Sequence, residues 1–131
     1  MLLDTSGFLC LVHRDETQHL KAKQSYERAS GGLIHNYFLD EFIALAQARK
    51  LRRDIALEFS EAWLNSSKVE VVWIDERVHR SGLKLLRARA DKTYSLCDAV
   101  SFVLMRERGI REALTTDKHF EQEGFVRLLG I

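Results

Sequence analysis

The stretch Val69-Glu70-Val71-Val72-Trp73-Ile74 gives the clearest β-strand signal in the chain, because β-branched and aromatic side chains favour extended backbone. Helix-forming residues follow it directly, from Glu76 to Ala90. A strand that leads into a helix is the basic unit of parallel-sheet proteins. The fold class therefore depends on whether this alternation recurs along the rest of the chain.

The same alternation recurs on both sides of this unit. Short apolar segments predict further strands, and apolar residues at helical spacing predict helices between them. We expect strands at 1–3, Leu33–Ile34, Ala113–Leu114 and Val126–Leu128, and helices from Phe8, over Glu16–Ser30, Phe38–Leu51 and Asp54–Asn65, and from Ser95. Gly31 and Gly109 are expected to end helices in left-handed conformations. The order predicts an α/β fold with helices on both faces of a parallel sheet.

Length and composition favour one domain that occupies residues 1–131. Of the 131 residues, 46% are hydrophobic, which is enough for a single core, and the sequence contains neither proline nor an evident repeat. Charged residues make up 30% of the chain but nearly balance, at a net charge of +1. A polyanionic partner would therefore have to be bound by local basic patches.

Cysteine usage and hydropathy predict a cytoplasmic protein with no membrane partner. Cys10 and Cys97 lie far apart in apolar segments, which fits reduced, buried thiols better than a disulfide scaffold or a zinc cluster. The wholly apolar runs are only a few residues long and Asp4 comes early, so we expect neither a signal peptide nor a membrane span.

Carboxylates follow the predicted strands at the point where each strand ends. Asp4 follows the first strand, Asp117 follows the fourth, and Glu41 lies at the start of the helix after the second. Asp98 begins the helix that leads to the fourth strand, and such a helix starts near the same edge of the sheet. Because ligands of parallel sheets bind beyond the carboxyl ends of the strands, we expect these four acids to meet at one site.

Carboxylates held this close repel one another unless a cation compensates their charge. Oxygen ligands favour Mg²⁺ or Mn²⁺ over zinc. A magnesium ion with few protein ligands keeps several waters, one of which can lose a proton and attack a phosphodiester. The pattern is therefore compatible with metal-assisted hydrolysis by one ion or two.

A structural role for the same acids is the alternative. Ser95-Leu96-Cys97-Asp98 fits a capping box, Asp117 could cap the helix that begins at Lys118, and Asp40-Glu41 would face a helix dipole favourably. With 19 acidic residues in the chain, several are expected near element ends, so spacing alone leaves both interpretations open.

Four segments around these acids together resemble the PIN domain, a metal-dependent ribonuclease family that includes the toxins of VapBC toxin-antitoxin systems. They are Leu2-Leu3-Asp4-Thr5-Ser6, Leu39-Asp40-Glu41, Tyr94-Ser95-Leu96-Cys97-Asp98-Ala99-Val100-Ser101-Phe102 and Ala113-Leu114-Thr115-Thr116-Asp117-Lys118-His119-Phe120. The resemblance implies that Asp4, Glu41, Asp98 and Asp117 are metal ligands or position a metal-bound water. It also implies supporting roles for Ser6 and Thr116.

The resemblance further implies a three-layer α/β/α sandwich around a sheet of about five strands. It implies an RNA substrate, a homodimer and a cognate antitoxin. Two features depart from the family pattern: only three residues precede Asp4, and His35 stands where a small hydroxyl residue is frequent. The second departure leaves the local support of Glu41 open.

Basic residues suggest where RNA could be contacted. One run comprises Arg49, Lys50, Arg52 and Arg53, and the other comprises Arg77, Arg80, Lys84, Arg87, Arg89 and Lys92. Such runs are often only the solvated face of a helix, but Arg87, Arg89 and Lys92 approach the segment of Asp98. Tyr94 is the candidate for base stacking, whereas Trp63 and Trp73 are expected to pack in the core. No histidine is assigned to a metal or to acid-base chemistry.

The sequence leaves three candidate functions. The leading hypothesis is a metal-dependent endoribonuclease that acts as a toxin, and the second is a non-catalytic RNA-binding or regulatory module of the same fold. A phospho-acceptor domain is disfavoured, because Thr5 and Ser6 follow Asp4 where a second acid is needed and no lysine directly follows the last strand.

Overall fold

Strands and helices alternate along the chain in this computed structural model, which describes residues 1–130. The strands are β1 (Leu2–Leu3), β2 (Gly32–His35), β3 (Val69–Val72), β4 (Glu112–Leu114) and β5 (Val126–Arg127). The helices are α1 (Thr5–Val12), α2 (His19–Arg28), α3 (Asn36–Ala48), α4 (Arg53–Leu64), α5 (Glu76–Ala88), α6 (Leu96–Arg108) and α7 (Lys118–Gln122).

The five strands form one sheet in the order β3-β2-β1-β4-β5, and every neighbouring pair is parallel. This confirms the α/β class and the parallel sheet. The short strand β1 lies at the centre, where Leu2 pairs with Leu33 on one side and with Ala113 on the other. Asp4 follows β1 directly, so the most central strand presents the first acid at the carboxyl edge of the sheet.

Successive side chains of the central strands enter opposite core layers. Leu2 belongs to the cluster that contains Val78 of α5 and Phe102 of α6, whereas Leu3 belongs to the cluster that contains Phe8 of α1 and Phe42 of α3. Residues that alternate in a strand point to opposite faces of a sheet, so both faces are covered by helices. The chain is therefore a three-layer α/β/α protein, as predicted.

Aromatic rings dominate the layer formed by α1 and α3. The ring of Phe8 makes edge-to-face contacts with those of Phe38, Phe42 and Trp63, at centroid distances of 5.0, 4.5 and 4.6 Å. Such pairs add about 1 kcal/mol beyond the burial of their surface. Trp63 packs on the core, as predicted.

Two predictions about the ends of elements were wrong. Gly109 ends α6 in a left-handed conformation at φ 65°, but α2 ends at Arg28 with extended backbone at Ala29 and does not use Gly31. The second error concerns Trp73, which is 66% exposed. Val72 is the last residue of β3 with a partner, because β2 ends opposite it at His35. Trp73 therefore lies beyond the sheet and outside the core.

The close approach of α1 to the end of β4 requires a glycine. A Cβ atom at Gly7 would lie 1.8 Å from the carbonyl oxygen of Leu114 and 2.4 Å from its carbon. The neighbour is backbone, so no side-chain rotation can make room. We expect Gly7→Ala to lower the free energy of unfolding by about 3 kcal/mol or more, as measured by urea denaturation.

Gly31→Ala is the matched control for that substitution. Its Cβ would lie 3.1 Å from the carbonyl oxygen of Lys68, so its effect should be clearly smaller. Equal stabilities of the two variants would contradict the close packing at Gly7.

A search of residues 1–130 for a helix both long enough and apolar enough to cross a membrane finds none.

Candidate active site

Three of the four predicted acids lie together at the carboxyl edge of the sheet. Asp4 comes between β1 and α1, Asp98 lies in the first turn of α6, and Asp117 follows β4 and precedes α7. Asp4 and Asp98 are only 5% and 6% exposed. Segments that are far apart in sequence therefore bring their carboxylates to one place.

Two hydroxyl groups hold the carboxylate of Asp4. The hydroxyl of Thr115 donates to Oδ2 at 2.8 Å, and that of Ser6 donates to the same oxygen at 3.2 Å. Thr115 Oγ1 also accepts from the backbone N–H of Asp117 at 2.9 Å. The Thr115 hydroxyl thus links Asp4 to the segment that carries Asp117.

Of the two residues predicted to support the site, Ser6 contacts Asp4 with its side chain and Thr116 does not. The side chain that reaches Asp4 is that of Thr115, which is fully buried. Thr116 takes part through its backbone N–H, which donates to Ser6 Oγ at 3.0 Å. Alternation along an extended segment turns adjacent side chains to opposite sides, so only one of the two threonines can face Asp4.

Asp98 makes the predicted capping box. Its backbone N–H donates to Ser95 Oγ, and its Oδ2 accepts from the backbone N–H of Ser95, both at 3.0 Å. The same Oδ2 lies 2.9 Å from Nδ1 of His119. Because the carboxylate can only accept, Nδ1 donates, and Nε2 lies 3.1 Å from the Thr93 hydroxyl.

His119 is the residue that the sequence analysis missed. Its Nδ1 lies 3.4 Å from Oδ1 of Asp117 as well as beside Asp98. The candidate ligand atoms of Asp98, Asp117 and His119 all lie within 4.8 Å of one another. The available signal was its position two residues after Asp117, which places it in the first turn of α7.

The carboxylates fit a divalent cation even though two of them also cap helices. The protein donors bind only Oδ2 of Asp98 and only Oδ1 of Asp117. Within residues 1–130, no hydrogen bond reaches the second oxygen of either group. Capping therefore leaves one oxygen of each group available for ligation, and the two roles that the sequence left as alternatives are compatible. Hard oxygen donors of this kind suit magnesium or manganese.

The raised pKa values of two carboxylates also favour a cation in the cluster. Burial raises the pKa of Asp4 to about 7, the charges of Asp98 and Asp117 add to the increase, and the hydrogen bond from Thr115 opposes it. Burial also raises the pKa of Asp98, against the hydrogen bonds from Ser95 and His119. The protein alone therefore does not compensate the negative charge that it gathers here.

Glu41 lies on α3, and the thiol of Cys97 is near both Glu41 and the cluster. Burial raises the pKa of Cys97, and the nearby charges of Glu41, Asp4 and Asp98 raise it further. Glu41 and Cys97 also line one side of a common cleft. Neither Asp4 nor Glu41 is in the tight group of Asp98, Asp117 and His119. Asp4 is linked to Asp117 through Thr115, whereas Glu41 has no such link within residues 1–130 and borders the cluster.

His35 supports the site in place of the small hydroxyl residue of the family pattern. Its Nδ1 accepts from the backbone N–H of Phe38 at 3.1 Å, so its Nε2 carries the proton and donates to Ser101 Oγ at 2.8 Å. The Ser101 hydroxyl in turn donates to the carbonyl of Cys97. Burial lowers the pKa of His35 to about 4. A neutral histidine thus ties the start of α3 to α6, and with it Glu41 to Asp98.

Two of the four residues proposed to contact RNA are held by Glu123. Arg89 donates to both carboxylate oxygens at 2.9 and 3.1 Å, and the hydroxyl of Tyr94 donates to Oε1 at 3.1 Å. Tyr94 is 8% exposed and its ring packs on Phe102. Its burial favours a packing role over base stacking. Arg87 and Lys92 are exposed, and within residues 1–130 Arg87 makes no ion pair.

Glu123 binds the end of α7 to the loop after α5, so its removal should destabilise the protein. Its side chain is 2% exposed and also binds Arg106. We expect Glu123→Ala to lower the free energy of unfolding by about 2 kcal/mol, since the buried Tyr94 hydroxyl loses its acceptor. Glu107→Ala breaks only the exposed pair with Arg77 and should cost less than about 1 kcal/mol. Urea denaturation that ranks the two variants in the opposite order would contradict this assignment.

Most other cations of the two basic runs are paired on the surface. Arg49 pairs with Glu16 and Arg52 with Asp54 in the first run. The second run contains the pairs of Arg77 with Glu107 and Arg80 with Glu76. Such pairs are more typical of solvated helix faces than of a continuous basic track for RNA.

The family model of the PIN domain matches residues 1–125. The chain belongs to the PIN domain family. Among curated PIN domain relatives, the VapC ribonuclease of Archaeoglobus fulgidus is 28% identical over 112 residues, which cover 81% of this chain and 70% of that protein. The 23S rRNA-specific endonuclease VapC20 of Mycobacterium tuberculosis is 27% identical, and the match covers 98% of this chain and 97% of that protein.

A solved PIN domain structure supports the same assignment. The crystal structure of Mycobacterium tuberculosis VapC20, described as a sarcin-ricin loop cleaving toxin, superposes with a TM-score of 0.87 at 26% identity. The match covers 95% of both chains. It confirms the fold predicted from the resemblance, and the names of these relatives identify them as ribonucleases.

Proposed function

We propose that this protein is a metal-dependent endoribonuclease and the toxin of a toxin-antitoxin pair, which hydrolyses RNA at the cluster of Asp4, Asp98 and Asp117. The observation that carries the proposal is the gathering of the buried Asp4 and Asp98 with the half-buried Asp117 at the carboxyl edge of the sheet. Within residues 1–130, one oxygen of Asp98 and one of Asp117 accept no hydrogen bond. The relatives' names favour hydrolysis over the alternative of a non-catalytic RNA-binding module.

The residues divide into ligands, a bordering acid and positioning groups. Asp4, Asp98 and Asp117 would hold Mg²⁺ or Mn²⁺, and Glu41 would act from the side of α3. When bound, the cation supplies electrostatic stabilisation of the charge that develops on the phosphate and acidifies water. Thr115 and Ser6 orient Asp4 through their hydroxyls. His119 donates to Oδ2 of Asp98, which would leave the other oxygen of Asp98 available to a cation.

Partners follow from this function. We propose RNA as the substrate, a cognate antitoxin as the inhibitor, a homodimer as the assembly and the cytoplasm as the location. Arg87 and Lys92, both exposed near the segment of Asp98, remain the proposed contacts with the phosphate backbone. Arg89 reaches RNA only with the part of its side chain that Glu123 leaves exposed, which is about 40%.

Cleavage of defined RNAs tests the proposal. The purified protein is incubated with a panel that includes a sarcin-ricin loop fragment, in Mg²⁺, in Mn²⁺ and in EDTA. We expect products only with the cations, and their loss on chelation. Metal-dependent binding without products on any RNA of the panel would instead establish the non-catalytic module.

A further inference from the structure

A cleft of about 600 Å³ opens beside the acid cluster between α3 and α6. Glu41 and Cys97 form its boundary with the cluster, and its other lining residues are Asn36, Tyr37, Asp40 and Ala44. This volume lies within the range of small-ligand sites. The proposed metal centre uses only the edge at Glu41, which leaves the rest of the cleft without an assigned role.

The charge of the lining excludes a phosphate as its occupant. Two of the lining residues are the carboxylates Asp40 and Glu41, and no lysine or arginine lines the cleft in the described part of the chain. A phosphodiester would be repelled here, whereas the cluster beside it is suited to hold one through a cation. An RNA strand that places its scissile phosphate at the cluster can therefore enter this cleft only with an uncharged group, such as a base.

The polar groups of the cleft complement the edge of a base. Asp40 is exposed and makes no hydrogen bond or ion pair with any residue from 1 to 130, so both of its oxygens can accept. Asn36 Oδ1 already accepts from the backbone N–H of Ile74 at 2.6 Å, which leaves its amide N–H groups free to donate. The hydroxyl of Tyr37 is bound to Nδ1 of His79, and this bond restrains the Tyr37 side chain that lines the cleft.

We propose that this cleft binds one nucleobase next to the scissile phosphate, and that Asp40 selects guanine. The inference rests on the proposed ribonuclease function and names a specificity residue for it. Guanine presents N1–H and an exocyclic amino group side by side, and one carboxylate can accept from both. Adenine would place a ring nitrogen lone pair against Asp40, and uracil offers a single donor. Asp40 does not touch the reacting atoms, so its role is positioning and selection.

Mapping of cleavage sites in a randomised RNA pool tests the selection. With Mg²⁺ or Mn²⁺, the wild-type protein should enrich guanine at one position beside the cleaved bond. Asp40→Ala should cleave with that enrichment lost. Glu58→Gln, which neutralises an exposed acid on α4 outside the cleft, should retain the wild-type preference.

A defined oligonucleotide then isolates the amino group. Inosine lacks the exocyclic amine of guanine, and replacing that guanine should lower kcat/KM of the wild type and of Glu58→Gln about tenfold, mainly through KM. Asp40→Ala should cleave both oligonucleotides at the same, lower rate. Equal discrimination by wild type and Asp40→Ala would overturn the inference.

Two controls show which part of the inference has failed. Absence of cleavage by the wild type and by Glu58→Gln would remove the proposed function itself, and the base site with it. Unchanged base preference in Asp40→Ala, together with weaker binding of an arginine-containing peptide, would assign the cleft to a protein partner.

Discussion

Asp98→Asn should reduce the metal-dependent cleavage of RNA about 10³-fold while the protein stays folded. A cation at this site contributes several kcal/mol to the stabilisation of charge in the transition state, and each 1.36 kcal/mol corresponds to a factor of ten. Asparagine keeps an oxygen that can accept from the backbone N–H of Ser95, so the capping box survives the change. The loss should therefore appear in kcat under single-turnover conditions, with far-ultraviolet circular dichroism unchanged.

The experiment must separate the proposed role of Asp98 in metal binding from its role in capping α6. Asp15→Asn serves as the control, because Asp15 is an exposed acid in the turn between α1 and α2. Ser95→Ala removes the hydroxyl that caps α6 but leaves the carboxylate of Asp98 in place, and should cost about 1 kcal/mol of stability. If Ser95→Ala lost as much activity as Asp98→Asn, capping alone would explain the importance of Asp98.

The fold was predictable because local signals and topology agree. Strand and helix alternation fixes a parallel sheet, and the position of Asp4 after β1 follows from hydrophobic pattern alone. Trp73 could not be placed in this way. The segment around Trp73 has the composition of a strand. However, β2 ends opposite Val72 and α3 begins at Asn36, so β2 offers Trp73 no pairing partner. Pairing partners are a tertiary property that a β-branched run does not encode.

The site was predictable in its acids but not in the groups that hold them. Asp4, Asp98 and Asp117 follow from strand ends and from the family resemblance, and their roles as ligands stay a prediction. The choice of Thr115 over Thr116 depends on which side of the chain faces Asp4. The contact of His119 with Asp98 depends on the packing of α7 against α6, and Glu123 recruits Arg89 across 34 residues of sequence. Such contacts arise only when distant segments are packed together.

Stability of the metal-free protein should fall as pH rises through 7, and Asp4 should be the main cause. Its pKa is raised from 3.8 to about 7 in the folded protein, so its contribution to stability is fully present below about pH 4 and is lost by about pH 8. At about 1.4 kcal/mol per pKa unit, the loss is about 4 kcal/mol. The raised pKa of Asp98 acts in the same direction. A cation that binds the ionised carboxylates should restore stability at pH 8.

Asp4→Asn isolates this effect from the opposite one at His35. The pKa of His35 is lowered to about 4, so its contribution to stability is lost as pH falls from about 6.5 to 4, and the total pH profile of the wild type mixes both groups. The difference between wild type and Asp4→Asn cancels His35. In EDTA, Asp4→Asn should equal the wild type near pH 4 and exceed it at pH 8, because asparagine can still accept from the Thr115 hydroxyl without a charge. Saturating Mg²⁺ or Mn²⁺ should stabilise only the wild type at pH 8. Urea denaturation that finds Asp4→Asn less stable than the wild type at pH 8 in EDTA would mean that the protein alone satisfies this charge, and the case for a cation here would fail.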